Sequence, residues 1–183
     1  MLSEEDDVAR LGGKAKVNPP IRDRAEREAL WHHLAAGNID LVSTDHVSWA
    51  EERKTLANML DNASGATGLD ALQVLLLTGL KRRGLPLHLA ARVLAQGPAR
   101  LFGLEHRKGA LTVGCDADIA ILRPRSWTYD PQRHGHNFAT WSAYTGQPLD
   151  FEVAATYLRG TLVFDGEKVL AEPGFGRFVS PQR

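Results

Sequence analysis

The run Ser43-Thr44-Asp45-His46 contains the side chains best suited to chemistry in this sequence. It ends a short, apolar, β-prone run that starts at Ile39. A carboxylate at the end of a buried strand can bind a metal ion, or carry a proton to and from a metal-bound water. Asp45 is therefore a candidate catalytic residue and a candidate metal ligand. The alternative interpretation is that Asp45 caps the next helix.

Two other groups of residues have reactive or metal-binding types, and both are interpreted as structural. His134 and His136 have the spacing of a metal-binding pair, but they lie in a predicted loop far along the chain from Asp45. Cys115 is followed by Asp116, and an acidic neighbour disfavours the thiolate that a nucleophile needs. Neither group replaces Asp45 as the candidate site.

Alternating helices and strands are predicted to hold Asp45 in place. Apolar spacing from Arg22 to Leu34 predicts a helix that ends near Gly37, and the predicted buried strand Ile39–Thr44 follows it directly. Further helices are predicted at Leu69–Leu80, Leu87–Ala95 and Pro98–Leu104. Strands are predicted at Lys14–Val17, Ala110–Val113, Asp118–Leu122, Val153–Arg159, Thr161–Phe164 and Lys168–Ala171, with turns at Arg159-Gly160 and Asp165-Gly166. The first ~105 residues therefore have an α/β pattern, and the remainder is mostly β.

The composition excludes several classes of protein. The chain has 183 residues, with 22 Lys and Arg against 22 Asp and Glu, so its formal net charge is zero. Binders of nucleic acid or of acidic membranes usually have a basic excess, so neither partner is expected. The single cysteine cannot form an intrachain disulfide, and no apolar run approaches the roughly 20 residues that cross a bilayer. The acidic start is unlike a signal peptide, so a cytoplasmic location is expected.

Several motifs occur in an order that resembles a known enzyme family. They are Asn18-Pro19-Pro20-Ile21-Arg22, Ser43-Thr44-Asp45-His46, Ser64–Asp70, Pro98–Leu104, Val113–Ile119 and Pro173–Phe178. Together they resemble the C-terminal half of the cyclic amidohydrolases, the group of dihydroorotases, allantoinases, hydantoinases and dihydropyrimidinases. The resemblance covers nearly the whole chain.

This resemblance implies a fold and a reaction. Residues 1–107 would form the end of a (β/α)₈ TIM-type barrel, with strands 7 and 8 and the helices that follow them. Residues 108–183 would add a β segment to a composite β-sandwich. The family hydrolyses the C–N amide bond of a small cyclic amide, such as a hydantoin, a dihydropyrimidine, allantoin or dihydroorotate. It uses a metal-activated hydroxide, and zinc is the expected metal.

The resemblance also implies roles for individual residues. Asp45 matches the family's strand-8 aspartate, which binds the metal and shuttles a proton from the attacking water to the leaving nitrogen. Asn18 lies where the family holds the cyclic amide by its backbone. Ser64 with Gly65 matches a second loop whose backbone binds the ring, and His46 would contact the substrate.

One departure from the family limits the expected activity. The family's other metal ligands are an HxH pair, a carboxylated lysine and two further histidines, and all of them should precede Asn18. The 17 residues before Asn18 contain no histidine. We therefore expect a fragment that is not a self-sufficient enzyme, and that works as a homo-oligomer or with a complementing N-terminal half. The alternatives are a non-catalytic truncated half barrel that serves as an interaction or assembly module, or one half of a split enzyme.

Overall fold

The described residues, 2–136 and 138–182, of the computed structural model form short helices, a three-stranded sheet and several irregular segments. The α-helices are α1 (Ala9–Leu11), α2 (Arg24–Ala36), α3 (Leu72–Arg82), α4 (His88–Ala91), α5 (Gly97–Leu101) and α6 (Pro131–His134). Further helical turns are the π-type turns Glu4–Val8 and Arg92–Gln96 and the 3₁₀ turns Gly12–Ala15, Glu51–Lys54 and Met59–Asp61. The strands are β1 (Ile119–Thr128), β2 (Pro148–Leu158) and β3 (Thr161–Phe164). The predicted α/β class is confirmed.

The described chain forms two compact units, and each is built from separate stretches of sequence. The first unit contains the chain up to Asn38, Ser43–Leu75 and Thr128–Pro148. The second unit contains Ile39–Val42, Leu76–Trp127 and the chain from Leu149 onwards. All the predicted site residues belong to the first unit, so the site can be described within it.

Helix α2 begins at Arg24, two residues after the predicted start, and ends at Gly37 as its sequence predicts. The Asp23 side chain accepts a hydrogen bond from the Glu26 amide at 2.7 Å, which satisfies a free N–H of the first turn. Gly37 ends the helix with a φ of 86°, a left-handed conformation that glycine adopts at little cost. Trp31 and Leu34 are buried and anchor the helix in the first unit. The predicted helix over this segment is confirmed.

The predicted strand Ile39–Thr44 is wrong, because the segment forms no ladder within the described residues. In the second unit, the Val42 amide donates to the carbonyl of Val93 at 3.0 Å, and Val93 lies in a helical turn. In the first unit, His46 forms a single parallel bridge with Ala66. A strand needs a run of paired residues along a neighbouring segment, and these isolated contacts do not form one.

Two other predicted strands are also wrong. Over Lys14–Val17, the first two residues belong to the 3₁₀ turn Gly12–Ala15, and the amide of Lys16 donates to the carbonyl of Gly13 at 3.1 Å. Over Ala110–Val113 the chain is irregular and mostly exposed, with Val113 fully exposed. Both segments are short and have glycine beside them, so local β propensity did not outweigh the lack of a pairing partner.

The two helices predicted around Pro98 are confirmed and join into one helical run. Helix α4, the π-type turn Arg92–Gln96 and helix α5 follow one another without a break. Pro98 lies inside this run, in the first turn of α5, and because proline has no N–H it donates no hydrogen bond to the π-type turn before it. A side chain at Gly97 would place its Cβ 2.0 Å from the carbonyl oxygen of Asp40. In the part of the chain that the structure describes, no helix is long and apolar enough to span a membrane.

The three strands form one sheet in the order β1-β2-β3. Strands β2 and β3 pair antiparallel through the predicted turn, where Arg159 and Gly160 have φ values of 50° and 77°. The predicted strand Thr161–Phe164 is confirmed, and the two other strands predicted there are longer than expected. Over the predicted strand Lys168–Ala171 only one bridge forms, from Val169 to Phe164.

Candidate functional site

Asp45 presents an exposed carboxylate on the first unit. Its φ is 45°, in the left-handed region that costs most residues about 1–2 kcal/mol and that Asp tolerates better than most. Strained backbone of this kind is often found at functional sites. The helix-capping alternative is wrong, because the next helical turn, Glu51–Lys54, begins after Ala50 and has no side-chain cap. The carboxylate is therefore available to a ligand.

The His46 ring is held by hydrogen bonds within the chain. Its Nδ1 accepts from the backbone amides of Gly68 and Leu69, both at 3.1 Å. Because an amide can only donate, Nδ1 carries no proton in this arrangement, and Nε2–H donates to Ser48 Oγ at 2.6 Å. The ring thus fixes the glycine-rich loop after Ser64. Its predicted contact with substrate stays a prediction, and it requires one of these bonds to be shared or released.

The Ser64–Gly65 loop has a fixed backbone. The Ser64 carbonyl accepts from the indole Nε1 of Trp49 at 2.8 Å, and the Gly65 amide donates to the carbonyl of Lys16 at 3.0 Å. Gly65 has a φ of 112°, and a Cβ there would lie 2.8 Å from the Val47 side chain, so only glycine fits. Of the backbone groups of this pair, the Ser64 amide and the Gly65 carbonyl are therefore the ones that can meet a ligand.

Asn18 is exposed and lies two residues after the carbonyl that binds Gly65. The peptide bond between Asn18 and Pro19 is cis. The hydrogen bond from Gly65 to Lys16 therefore brings together the two segments that the sequence predicts to bind the cyclic amide by their backbones. A cleft of about 460 Å³ flanks this segment, with Lys16, Val17 and Pro20 in its wall, but none of the predicted site residues lines it.

Lys54 also belongs to this site, although no pattern in the sequence indicates it. Its side chain is fully buried, at 0% exposure. Its Nζ donates to the carbonyl of Lys16 at 2.8 Å and to the carbonyl of Ala63 at 2.7 Å. Loss of water around the ammonium, and then the charge of Lys16, lower the pKa of Lys54 to about 8. In the sequence, Lys54 belongs to a charged run that predicts only an exposed face.

Trp141 joins several segments of the first unit. Its Nε1 donates to the carbonyl of Trp49 at 2.8 Å, and its own carbonyl accepts from Thr67 Oγ1 at 2.9 Å. The ammonium groups of Lys14 and Lys54 each lie 5.8 Å from the centre of its ring. This buried indole therefore contacts both lysines as well as the segments that contain Trp49 and Thr67.

The described residues do not fit a complete metal site. Across residues 2–136 and 138–182, no three His, Cys, Asp or Glu side chains group closely enough to hold a metal ion. Asp45 can supply one ligand, and both nitrogens of His46 are engaged elsewhere. Within those residues, His134 and His136 belong to no such group.

Comparison with known proteins gives consistent results. The profile of the amidohydrolase family matches residues 8–163. The chain is 36% identical to an allantoinase of Rubrobacter xylanophilus and 38% identical to a dihydroorotase of Halobacterium salinarum. These alignments cover 100% and 95% of this chain, and 40% of each relative. Among solved structures, an L-hydantoinase (dihydropyrimidinase) from Arthrobacter aurescens matches 98% of this chain with a TM-score of 0.90 and 34% identity, over 40% of its own length.

The chain therefore spans about two fifths of the length of the relatives that it matches. The profile match includes the Asn18 segment, Asp45 and the Ser64–Gly65 loop, and it extends into the three-stranded sheet. Sequence identity and structural similarity agree over nearly all of the chain. On this basis, the chain belongs to the amidohydrolase family.

Proposed function

We propose that this chain forms part of a metal-dependent hydrolase that cleaves the C–N amide bond of a cyclic amide. The substrate class is that of hydantoins, dihydropyrimidines, allantoin and dihydroorotate. The observation that carries the proposal is identity of 36–38% to an allantoinase and a dihydroorotase over nearly the whole chain. In this proposal, residues 1–107 are the end of a (β/α)₈ barrel and residues 108–183 are a β segment of a composite sandwich.

Asp45 is the residue to which we assign the proton transfer. Hydrolysis adds the oxygen of water to the ring carbonyl carbon, breaks the C–N bond and leaves a proton on the departing nitrogen. A carboxylate beside the reacting atoms can take the proton from the water and give it to that nitrogen. The exposed carboxylate of Asp45, held in a left-handed backbone conformation, suits this role. Such a group contributes about 10²–10⁴-fold to a rate.

Backbone groups are proposed to hold the substrate. A cyclic amide presents both N–H donors and carbonyl acceptors, so it can pair with the backbone as a strand does. We assign this binding to Asn18, and to the amide and carbonyl that Ser64 and Gly65 leave available. His46 is proposed to line the same site through its ring edge. Because the loop is already fixed by internal hydrogen bonds, binding does not have to order it.

Zinc is the metal that the proposal implies, and a bound zinc ion would supply an activated water. Asp45 would provide one of its ligands. The histidine and lysine ligands would come from chain outside these 183 residues, either as a preceding segment or as a separate polypeptide. This requirement rests on the lack of a three-ligand group among the described residues.

The test compares hydrolysis with and without a polypeptide that carries the other ligands. Hydantoin, dihydrouracil, allantoin and dihydroorotate are offered as substrates, and zinc is measured in the purified protein. We expect turnover of at least one substrate only when the other ligands are present. Asp45→Asn should lower kcat by about 10²-fold or more, because an amide cannot accept the proton. Turnover that survives Asp45→Asn would remove the assigned role.

A matched variant controls for the loss of a surface charge. Asp61→Asn makes the same chemical change at another exposed aspartate of the first unit. Asparagine tolerates left-handed backbone, so Asp45→Asn should also keep the fold. We expect the Asp61→Asn protein to retain its full rate. An equal loss in both variants would show that the effect at Asp45 is not specific.

A second candidate function is assembly with another chain. In the second unit, the large apolar side chains of Leu111, Val113 and Phe178 are 80–104% exposed. Such residues favour contact with a second copy of this chain or with a complementing half. Sedimentation of the purified chain tests this function, because a monomer that stays monomeric over a wide range of concentration would count against self-assembly.

A further inference from the structure

The buried ammonium of Lys54 has backbone carbonyls as its hydrogen-bond partners. Its Nζ bonds to the carbonyls of Lys16 and Ala63, and it also lies 5.8 Å from the centre of the Trp141 ring. No carboxylate in the described residues forms an ion pair with it, whereas the neighbouring Lys14 is paired with Glu51. Burying an unpaired charge is costly, so two short bonds must offset a large desolvation penalty. Because the Lys54 side chain is buried, it cannot serve to keep the protein surface soluble, and its role must lie in the contacts that it makes.

The two carbonyls that Lys54 binds belong to the two segments proposed to hold substrate. Ala63 immediately precedes the Ser64–Gly65 loop, and Lys16 lies two residues before Asn18. The carbonyl of Lys16 also accepts the Gly65 amide, so one oxygen is shared by the lysine and the loop.

The backbone of Ala63 is held on both sides. Its amide donates to the carbonyl of Arg53 at 2.9 Å, while its carbonyl accepts from Lys54. Arg53 and Lys54 lie in the same 3₁₀ turn. That turn therefore binds Ala63 through two hydrogen bonds, accepting one at the Arg53 carbonyl and donating one from Lys54. The Lys54 bridge is our name for the pair of hydrogen bonds from Nζ to Lys16 and Ala63.

We propose that Lys54 is a positioning residue for substrate binding, because the Lys54 bridge fixes the spacing between the Asn18 segment and the Ser64–Gly65 loop. This inference rests on the proposed function, since it assigns both segments to the same cyclic amide. Lys54 is fully buried and acts through the two backbones. Its removal should therefore weaken ground-state binding and leave the proton transfer at Asp45 largely intact.

The first experiment needs no enzyme activity. Hydrogen exchange of the Gly65 amide is measured by NMR in wild type, Lys54→Met and Lys54→Arg. Losing the bridge should expose the Gly65 bond to water, so we expect exchange about tenfold faster or more in Lys54→Met. Lys54→Arg keeps a cation and donors and should lie between the two. It also keeps the test decisive if Lys54→Met does not fold.

Lys14→Met is the matched control. It removes a lysine at the same distance from the Trp141 ring, and this lysine bonds to Glu51 instead of to the loop. The control therefore makes the same change of residue type and leaves the Lys54 bridge in place. We expect the Gly65 amide to exchange at the wild-type rate in Lys14→Met.

The second experiment measures kinetics on the cyclic amide that the active protein hydrolyses. We expect KM to rise about tenfold or more in Lys54→Met, with partial recovery in Lys54→Arg and kcat within about threefold of wild type. A general loss of structure would lower the active fraction, and so kcat, without this pattern. Lys14→Met should change neither constant.

The outcomes separate the inference from the proposed function. Unchanged exchange at Gly65 in both Lys54 variants overturns the inference, and so does faster exchange with an unchanged KM. A loss confined to kcat also overturns it, because Lys54 would then act on the chemical step. If wild type hydrolyses none of the cyclic amides even with the polypeptide that carries the other metal ligands, the proposed function fails. The exchange measurement then decides alone whether Lys54 sets the spacing of the two segments.

Discussion

Lys54 gives a quantitative prediction about stability and pH. Burial and the charge of Lys16 lower its pKa from 10.5 to about 8 in the folded protein. In the unfolded chain the ammonium is hydrated and has its ordinary pKa. Between pH 8 and pH 10.5 the unfolded state therefore binds more protons than the folded state, so the free energy of unfolding rises with pH. This stabilisation is complete above pH 10.5 and is lost as the pH falls through 8.

The size of the effect follows from the two pKa values. A change of one pKa unit corresponds to about 1.4 kcal/mol. Relative to pH 7, Lys54 should add about 1.4 kcal/mol to the free energy of unfolding at pH 9 and roughly 2.5 kcal/mol at pH 10. The neutral amine still has two N–H groups, so both bonds of the Lys54 bridge survive deprotonation. Two tyrosines limit the usable range, because burial raises the pKa of Tyr129 to about 12 and also raises that of Tyr144.

The assay is urea denaturation at pH 7, 8, 9 and 10, followed by tryptophan fluorescence, in wild type and Lys54→Met. At pH 7 the variant loses two charge-assisted hydrogen bonds and is relieved of a desolvation penalty, so a net loss of roughly 0–3 kcal/mol is expected. The difference between the two proteins should then grow by about 2.5 kcal/mol up to pH 10. Other titrating groups cancel in the difference. If the two profiles run parallel, the ammonium is hydrated in the folded protein and the argument from burial fails.

Three further substitutions test close contacts. Gly65→Ala should destabilise the protein by about 2–4 kcal/mol in chemical denaturation, because its Cβ would meet Val47 and its φ is positive. Gly97→Ala has two opposed effects on stability. Helix propensity alone predicts a gain of about 1 kcal/mol, but the added Cβ would lie 2.0 Å from the Asp40 carbonyl oxygen. We therefore expect a net loss of stability, measured as a lower melting temperature. Trp49→Phe removes one hydrogen-bond donor to the Ser64 carbonyl and should cost about 1 kcal/mol, and an unchanged stability would show that this bond contributes nothing.

Elements with local signals could be predicted from the sequence. Helix α2 has a capping aspartate, apolar spacing and a terminal glycine, and all three act within a few residues of one another. The hairpin at Arg159 and Gly160 likewise depends on local backbone preference. The strand predicted over Ile39–Thr44 failed because pairing depends on a distant partner that no local pattern encodes.

The candidate site divides in the same way. Asp45, Asn18 and the Ser64–Gly65 loop were found through motifs, and the comparisons support the family to which those motifs belong. The motifs did not reveal that the His46 ring is tied to Gly68 and Leu69. Nor did they reveal Lys54, because a lysine in a charged run is normally exposed. It is buried beside Trp141, which lies 87 positions further along the chain.

The distribution of hydrogen bonds separates two kinds of residue in the first unit. Trp49, His46 and Lys54 direct their polar atoms at backbone and side-chain groups of the chain, and so hold loops in place. Asp45 and Asn18 are exposed to solvent. A site that is ordered before its ligand arrives loses little entropy on binding. Substitutions in the holding residues should therefore act mainly on KM, whereas Asp45→Asn should act mainly on kcat. Measuring the variants of the holding residues and Asp45→Asn on one substrate distinguishes two models of the site. In a preorganised site, only Asp45→Asn should lower kcat. If the loops close only around the ligand, substitutions in the holding residues should lower kcat as well.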